Sequence, residues 1–404
     1  MKPDTDIQLL KGNYYRIFAL PDSRFESSMS ETKATRHHQI TQNVGSGYAL
    51  SNILKAEPDI DRTLLTFVDR LDSLSRANKS VNFDEWFTYL AFDNLGEITF
   101  SKDFGFVENG YDIGNSIANN KKLLLYIAVM GHFWWAHDYL LANPIIGYLN
   151  LSPHLHIFET CLAAIQRRMT NDPVRRDMME QWMDTLKKHP DRMTEKELVA
   201  AAAVNIGAGG DTVSCELQAC LFKIIKNQAV LEKLRREIDA ANLSDIPSYE
   251  ETKKLPFLQA CIKETLRFNP SVGFNLPRIS PAGGVTALGR HFPEGVILSV
   301  NPWVINRRPE IFGADADIWN PERWMDPERS ARMDKYLASF GAGYMMCPGR
   351  HMAHMELSKT MALLVKEFDV RLVDEGCEWK FTCHFVVVPF GWPCVVKRRE
   401  KRRV

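Results

Sequence analysis

A mainly α-helical chain with small β-sheets toward its C-terminal end is predicted by three features of the sequence. Apolar residues recur at helical spacing through most of the chain up to Phe268, as they do on the inner face of a helix. One such run, from Thr194 to Ile225, holds the period for about 30 residues, a length that implies a strut buried through much of its span. Past Pro270 the period changes, and Gly283, Gly284, Gly289 and Gly295 separate short strand-like runs.

Residues 1–33 are polar and punctuated, show no strong period, and are read as a poorly defined N-terminal segment. From Ser51 to Leu74 the positions Ile53, Ile60, Leu64, Phe67, Val68, Leu71 and Leu74 predict one or two helices. Val81 to Ile98 predicts another, ending near Phe100, and Ser101 to Gly110 a turn-rich link. Asp112 to Leu149 is apolar and aromatic, with helices broken at Gly131 and Pro144. Phe158 to Lys188 is helical with an interruption at Asn171 to Pro173. Thr194 and Glu197 form a capping box that opens the long strut. Gln228 to Ala240 predicts a helix with a charged face, and Pro256 opens a helix to Arg267. Val285 to Leu288 and Val296 to Val300 read as strands, Pro348 to Glu367 as a helix, and Phe368 to Val396 as short antiparallel strands. No repeat or linker divides the chain, so residues 1–404 are read as one domain.

Lys plus Arg equals Asp plus Glu, at 50 each, which gives no argument for a nucleic-acid partner. The basic run from Lys397 to Arg403 reads as a solvated end. The eight cysteines form no Cys-x-x-Cys pair, so free thiols in a reducing compartment fit better than a zinc ribbon or a disulfide framework. No secretory signal opens the chain, and the apolar run Leu123 to Met130 is far shorter than the ~20 residues of a bilayer span. Leu123 to Trp135 is a core helix, the lining of an apolar substrate mouth, or a peripheral membrane contact.

The chemistry concentrates around Cys347. Gly341 and Gly343 let the backbone turn tightly and approach a flat ligand, and Pro348 starts a helix, so the sulfur is expected at a helix N-terminus that lowers its pKa. A lone thiolate does not meet the three or four ligands zinc requires, but it fits an iron held in a porphyrin. The segment Phe340-Gly-Ala-Gly-Tyr-Met-Met-Cys-Pro-Gly-Arg-His-Met-Ala resembles the haem-binding segment of the cytochrome P-450 superfamily, with Phe340, Gly341, Gly343, Cys347, Gly349 and Ala353 in register. The resemblance implies the cytochrome P-450 fold and haem with an axial thiolate from Cys347. Phe340 would cover the sulfur side. One position departs from the pattern: Met345 stands where the family usually has a basic residue that pairs with a haem propionate.

Gly207-Ala-Gly-Gly-Asp-Thr lies inside the long strut, where each glycine costs about 1 kcal/mol relative to Ala. The gain expected is a groove in which a small ligand approaches the backbone; a close-packed helix crossing is the alternative. Thr212 can bond back to a carbonyl. The stretch resembles the family's oxygen-activation motif, which makes Asp211 and Thr212 the expected proton-delivering pair. Glu264 and Arg267, three apart on one helical face, and Arg323 in Pro321-Glu-Arg-Trp resemble the family's three-membered network, a structural clamp on the cysteine loop. Arg278 resembles a propionate ligand, and Val272 to Asn275 would line the cavity. His351 and His354 read as surface or core residues.

The family-like register runs from about Ala34 to the end, and membrane-type fungal members resemble the chain most. Their anchor, first helix and first hairpin have no counterpart here, so the fold is expected to be N-terminally shortened. Arg36 to Val44 resembles their third main helix with Thr41 and Gln42 in place of a propionate-binding Trp and Arg, leaving His37 or His38 to substitute. The resemblance implies a monooxygenase of secondary metabolism. It would use dioxygen, a small apolar or aromatic substrate and a separate NADPH-dependent reductase, and would be endoplasmic reticulum-associated or cytoplasmic. The alternatives are a haem-poor, inactive member and a reductase-independent isomerase or dehydratase; Thr212 argues against the latter.

Overall fold

The computed structural model describes residues 9–400 apart from 21, 144, 146–147, 150–154 and 171–176. The expected break at Pro144, the interruption at Asn171 to Pro173 and the end of the basic tail lie outside the described residues.

The helices follow from the sequence pattern. Helix α1 (Ala34–Gly45) buries His37, Ile40, Asn43 and Val44, one face of three turns. Helix α2 (Glu57–Arg76) has Pro58 as its second residue, carries Glu57 and Asp59 in its first turn and Arg76 in its last, and buries Ile60, Leu64, Phe67, Val68 and Leu71. Helix α3 (Phe83–Phe100) is buried almost all round and ends where Ser101 turns left-handed at φ 59°. Helices α4 (Ser116–Met130), α5 (Leu155–Thr170) and α6 (Met178–Lys188) precede α7 (Glu195–Lys226). The capping box Thr194–Glu197 opens α7, whose 32 residues form the core of the fold. This helix is long and apolar enough to cross a bilayer, but it is mostly buried by its neighbours, so packing accounts for its composition. Helices α8 (Gln228–Ala240), α9 (Pro256–Phe268), α10 (Pro327–Asp334) and α11 (Arg350–Glu367) complete the helical part.

The sheets are small and antiparallel. Strand β1 (Leu10–Lys11) pairs with β2 (Arg278–Ile279), setting Lys11 opposite Arg278. Strands β3 (Val285–Ala287) and β4 (Arg290–Phe292) form a hairpin, and β5 (Ile297–Leu298) joins the far side of β2. Strand β6 (Phe368–Leu372) pairs with β9 (Cys394–Arg398), and β7 (Lys380–His384) with β8 (Val386–Phe390). One apolar cluster runs from Val44 to Val396; a second joins Tyr14, Tyr15 and Ile17 to Leu124, Ile127, Phe385 and Val386.

That second cluster includes described residues of the N-terminal segment. From Leu9 onward this segment is a built part of the fold: β1, then a 3-10 turn over Asn13–Phe18 whose Tyr14, Tyr15 and Ile17 are buried. A two-residue strand and a three-per-turn helix are too short to register as a helical period, so the pattern missed them.

Candidate functional site

The cysteine loop takes its shape from its glycines. Gly341 and Gly343 both adopt positive φ, 70° and 67°, where a side chain would be strained. The Cys347 amide donates to the Phe340 carbonyl at 2.8 Å and closes the loop. Phe340 itself packs against the His354 ring, 5.3 Å between centroids, which seats the loop on α11. His354 is thereby a packing residue, and burial pushes its pKa down to about 4.

Helix α11 begins at Arg350 with Gly349 as its cap, two residues later than Pro348 suggested. The expected lowering of the Cys347 pKa is reversed. The residue as a whole is exposed, yet protein packed around the sulfur desolvates the thiolate and pushes the thiol pKa up. The Gly349 amide and Arg350 pull the other way and are outweighed. A helix end offers partial charges only, and without a cation on the sulfur desolvation dominates.

The face of α7 opposite its core carries the second part of the site. Thr212 Oγ1 donates to the Ala208 carbonyl at 2.8 Å and lies 3.2 Å from that of Gly209, the back-bond the sequence suggested. Ala208 is exposed in the middle of a largely buried helix, so this face opens on space. The glycines have a different reason from the groove expected of them. A Cβ on Gly210 would lie 2.4 Å from the Phe92 ring, and one on Gly209 2.9 Å from Leu95. Both therefore serve the close crossing of α7 and α3, the alternative explanation, while Ala208 and Thr212 form the open side.

Asp211 points elsewhere. Its Oδ2 accepts from Asn120 Nδ2 of α4 at 2.6 Å, and burial raises its pKa to about 6 against the lowering effects of Asn120 and Lys121. Sequence reasoning missed Asn120, which carries no motif. It also missed Tyr48, which ties the two halves of the site together. The Tyr48 hydroxyl donates to Asn205 Oδ1 at 3.0 Å. Asn205 lies seven residues, two turns, before Thr212 and so on the same face of α7. Burial raises the Tyr48 pKa, and the nearby Cys347 adds to the shift. Cys347 and the Asn205–Ala208–Thr212 face thus approach the same phenol.

Behind the loop, Glu264, Arg267 and Arg323 meet with no solvent exposure. Glu264 accepts from Arg267 Nε (2.8 Å) and Nη2 (2.7 Å), Arg323 Nε (3.0 Å), Trp324 Nε1 (2.8 Å) and the Asn320 amide (2.7 Å). Arg323 also binds Asp315, at 2.9 and 3.0 Å. Arg267 Nη1 donates to the Asn306 carbonyl at 2.8 Å, and Asn306 Oδ1 accepts from the Ala338 amide at 3.0 Å, two residues before Phe340. Asp315 and Asn306 were not singled out from sequence, and Trp324 was named only as the last residue of the Pro321-Glu-Arg-Trp motif.

Arg278 Nη1 donates to the Tyr15 hydroxyl, the Leu276 carbonyl (3.2 Å) and the Pro277 carbonyl (3.0 Å). The neighbouring stretch runs against β8: Val272 bridges Val386, and the Gly273 amide donates to the Phe385 carbonyl at 3.2 Å. Phe274 packs near Phe385 while Asn275 is exposed. Thr41 and Gln42 offer no cation, and His38 is exposed, whereas His37 is buried.

The donor set fits haem. Among the described residues no three His, Cys, Asp or Glu side chains gather as a ligand set, so Cys347 is a lone donor. A lone sulfur suits an iron whose in-plane ligands come from a macrocycle. The loop around it, Ala342 to Tyr344 and Met346 to Pro348, is exposed although α11 directly behind it is buried. A cleft of about 640 Å³ lined by Ser23, Arg24, Arg36, Thr194 and Glu197 lies at the start of α7, about 22 Å along the helix from Thr212, and its Arg36 and Glu197 are ion-paired.

Comparison with known proteins identifies the family. A family profile described as cytochrome P-450 matches residues 19–390. A cytochrome P-450 monooxygenase of Aspergillus terreus is 33% identical over 350 residues, covering 83% of this chain and 71% of that one. Cytochrome P-450 monooxygenase cicH of Emericella nidulans is 33% identical over 389 residues, 92% of this chain and 78% of that one. Cytochrome P-450 monooxygenase gsfF of Penicillium aethiopicum is 30% identical over 395 residues, 93% and 78%. The crystallised cytochrome P-450 CYP102L1 superposes with a TM-score of 0.80 at 18% identity, covering 97% of this chain and 85% of that one, a likeness of fold.

Proposed function

The chain belongs to the cytochrome P-450 family of oxidoreductases, which hold haem through a cysteine thiolate, and from this premise we propose that it inserts one atom of dioxygen into an apolar or aromatic organic substrate of fungal secondary metabolism. The observation that carries the proposal is the thiol of Cys347, set on a glycine-bent loop near Tyr48, which bonds Asn205 on the Ala208–Thr212 face of α7.

Haem bound there supplies the dioxygen reduction and oxygen transfer, with electron density from the thiolate. The chain's own groups do the rest. The Glu264–Arg267–Arg323 network, through Asn306, holds the residues that lead into the cysteine loop. Thr212 keeps a hydroxyl on the open face, able to hold water or pass a proton. Asp211, with a pKa near 6, can give up and regain a proton close to neutrality; Asn120 holds it toward α4. Phe274, Leu276 and the apolar cluster around Phe385 favour an apolar substrate.

We take the two electrons to come from a redox partner, as is general for the family, and expect that partner to be an NADPH-dependent reductase. Leu125, Val129, Phe133, Trp135 and Tyr139 are exposed along α4 and the turn that follows, and aromatic and apolar side chains of this kind seat a protein peripherally on a membrane such as the endoplasmic reticulum. Replacing Phe133 and Trp135 by Ser should release the chain from lipid vesicles.

The test is spectroscopic and catalytic together. The ferrous carbon-monoxide complex should show the band of thiolate ligation, and Cys347→Ser should abolish it. Reductase plus NADPH should then yield hydroxylated product. A carbon-monoxide spectrum typical of histidine ligation, or a spectrum unchanged in Cys347→Ser, would overturn the assignment. Turnover without reductase would mark an isomerase or dehydratase instead.

A further inference from the structure

Three basic side chains from distant parts of the chain converge beside the cysteine loop. Lys11 on β1 stands directly opposite Arg278 on β2, so both side chains leave the same face of the ribbon. Both cations approach one aromatic ring: Lys11 Nζ is 5.1 Å and Arg278 Cζ 5.3 Å from the centre of Tyr15. His37 of α1 completes the group. Its ring meets Tyr344, in the cysteine loop, edge to face at 5.8 Å, and the Tyr344 hydroxyl donates to the Leu9 carbonyl at 2.8 Å, two residues before Lys11.

Like charges directly opposite on a ribbon repel, and burial adds to the cost. Lys11 is 7% and His37 5% exposed. Lys11 Nζ has carbonyl partners at Ser28 and, at 3.1 Å, Met29, which satisfy donors but do not neutralise the charge. Among the described residues, Glu31 is the acid that bears on it. The imbalance is visible in the titration of both groups. Burial, with Arg278 beside it, draws the Lys11 pKa down to about 7; burial, with Lys11 and Arg278 beside it, draws that of His37 to about 4. His37 also meets the Ser28 backbone, yet its Nδ1 is buried with no hydrogen-bond partner. A buried lysine and a half-buried arginine beside an imidazole nitrogen that has no partner form a site for an anion, which would also favour the protonated imidazole. Carboxylates are the anions that haem carries at its edge, and Met345 provides no cation for them.

On the haem-thiolate premise above, we infer that Lys11 and His37, joined to Arg278, seat the haem carboxylates and so replace the charge that Met345 lacks. Charge-assisted hydrogen bonds to two carboxylates would relieve the repulsion between Lys11 and Arg278 and give His37 Nδ1 a partner. The short first strand then has a purpose beyond the sheet, because its pairing with β2 is what carries Lys11 to Arg278.

The test is a titration of the haem-free full chain with iron protoporphyrin and with its dimethyl ester, which lacks the two carboxylates. The unaltered chain should bind protoporphyrin more tightly than the ester. Lys11→Gln and His37→Leu should each cut that preference about 10-fold or more, while exposed Lys33→Gln leaves it unchanged. Adding Met345→Arg to Lys11→Gln should restore it. Equal weakening of both ligands, or no weakening of either, would overturn the inference, as would failure of Met345→Arg to rescue. The haem-thiolate premise fails separately, on the carbon-monoxide spectrum of the unaltered chain and of Cys347→Ser.

Discussion

Replacing Glu264 by Gln removes one negative charge and keeps nearly the same shape, which makes it a direct measure of the buried network. The carboxylate accepts five hydrogen bonds, from Arg267 Nε and Nη2, Arg323 Nε, Trp324 Nε1 and the Asn320 amide. A Gln amide offers one acceptor oxygen and turns an NH2 donor toward other donors. Arg267 would be left with the carbonyls of Asn306, Ala316 and Ile318 and no counter-charge among its bonded partners. Arg323 would keep Asp315. Breaking a buried pair in this way costs about 3–5 kcal/mol, a large share of the ~5–15 kcal/mol that holds a protein folded. The assay is urea unfolding of the full chain followed by tryptophan emission, since Trp319 and Trp324 sit in the network. Haem per chain should fall in parallel, because Arg267 reaches Ala338 through Asn306. The exposed pair Lys253–Glu250 is the control, and Glu250→Gln should cost less than about 1 kcal/mol. A loss below about 1 kcal/mol for Glu264→Gln, or full haem content with a large loss, would refute the coupling described here.

Thr212→Ala should leave haem binding intact and lower product formed per NADPH consumed about 10-fold or more, with the difference recovered as reduced oxygen; equal coupling would show that the hydroxyl plays no part. Asn120→Ala removes a hydrogen bond that favours the ionised form of Asp211, so the Asp211 pKa should rise above about 6 and the acid limb of the pH–coupling profile should move to higher pH. An unmoved limb would place the titration elsewhere. Glu356 is buried with one oxygen unpartnered, and burial lifts its pKa to about 8. The folded chain therefore holds a proton that the unfolded chain releases between about pH 4.5 and 8, and stability falls as pH rises through that window. Glu356→Gln should flatten the fall in Tm across pH 5–8 without removing it, because Glu216 is raised in the same direction; identical slopes would refute the assignment.

The helical framework, the cysteine loop and the network were legible because each leaves a local mark. Capping at Thr194, Pro256 at a first turn, and Gly341 and Gly343 at positive φ are properties of a few adjacent residues. Glu264 and Arg267 were visible as a pair because helical spacing puts them on one face. Gly209 and Gly210 were legible as glycines that needed a reason, but not as the reason. A groove and a close crossing demand the same residue, and only the position of Phe92 and Leu95 separates them.

Sequence by itself determined that a cysteine on a glycine-bent loop, an adjacent Asp211 and Thr212, and the three ionic residues Glu264, Arg267 and Arg323 exist, since each is a short motif carried by residue type and spacing. Tertiary structure alone decided which partners those groups meet: Asn120 for Asp211, Tyr48 beside Cys347, Asn306 between clamp and loop, Lys11 across from Arg278. Those contacts join residues tens to hundreds of positions apart. They are made when elements pack, and no local pattern records them. The sign of the Cys347 shift follows from the same physics, because desolvation is set by what packs around an atom, whereas the helix end that opposes it could be read along the chain.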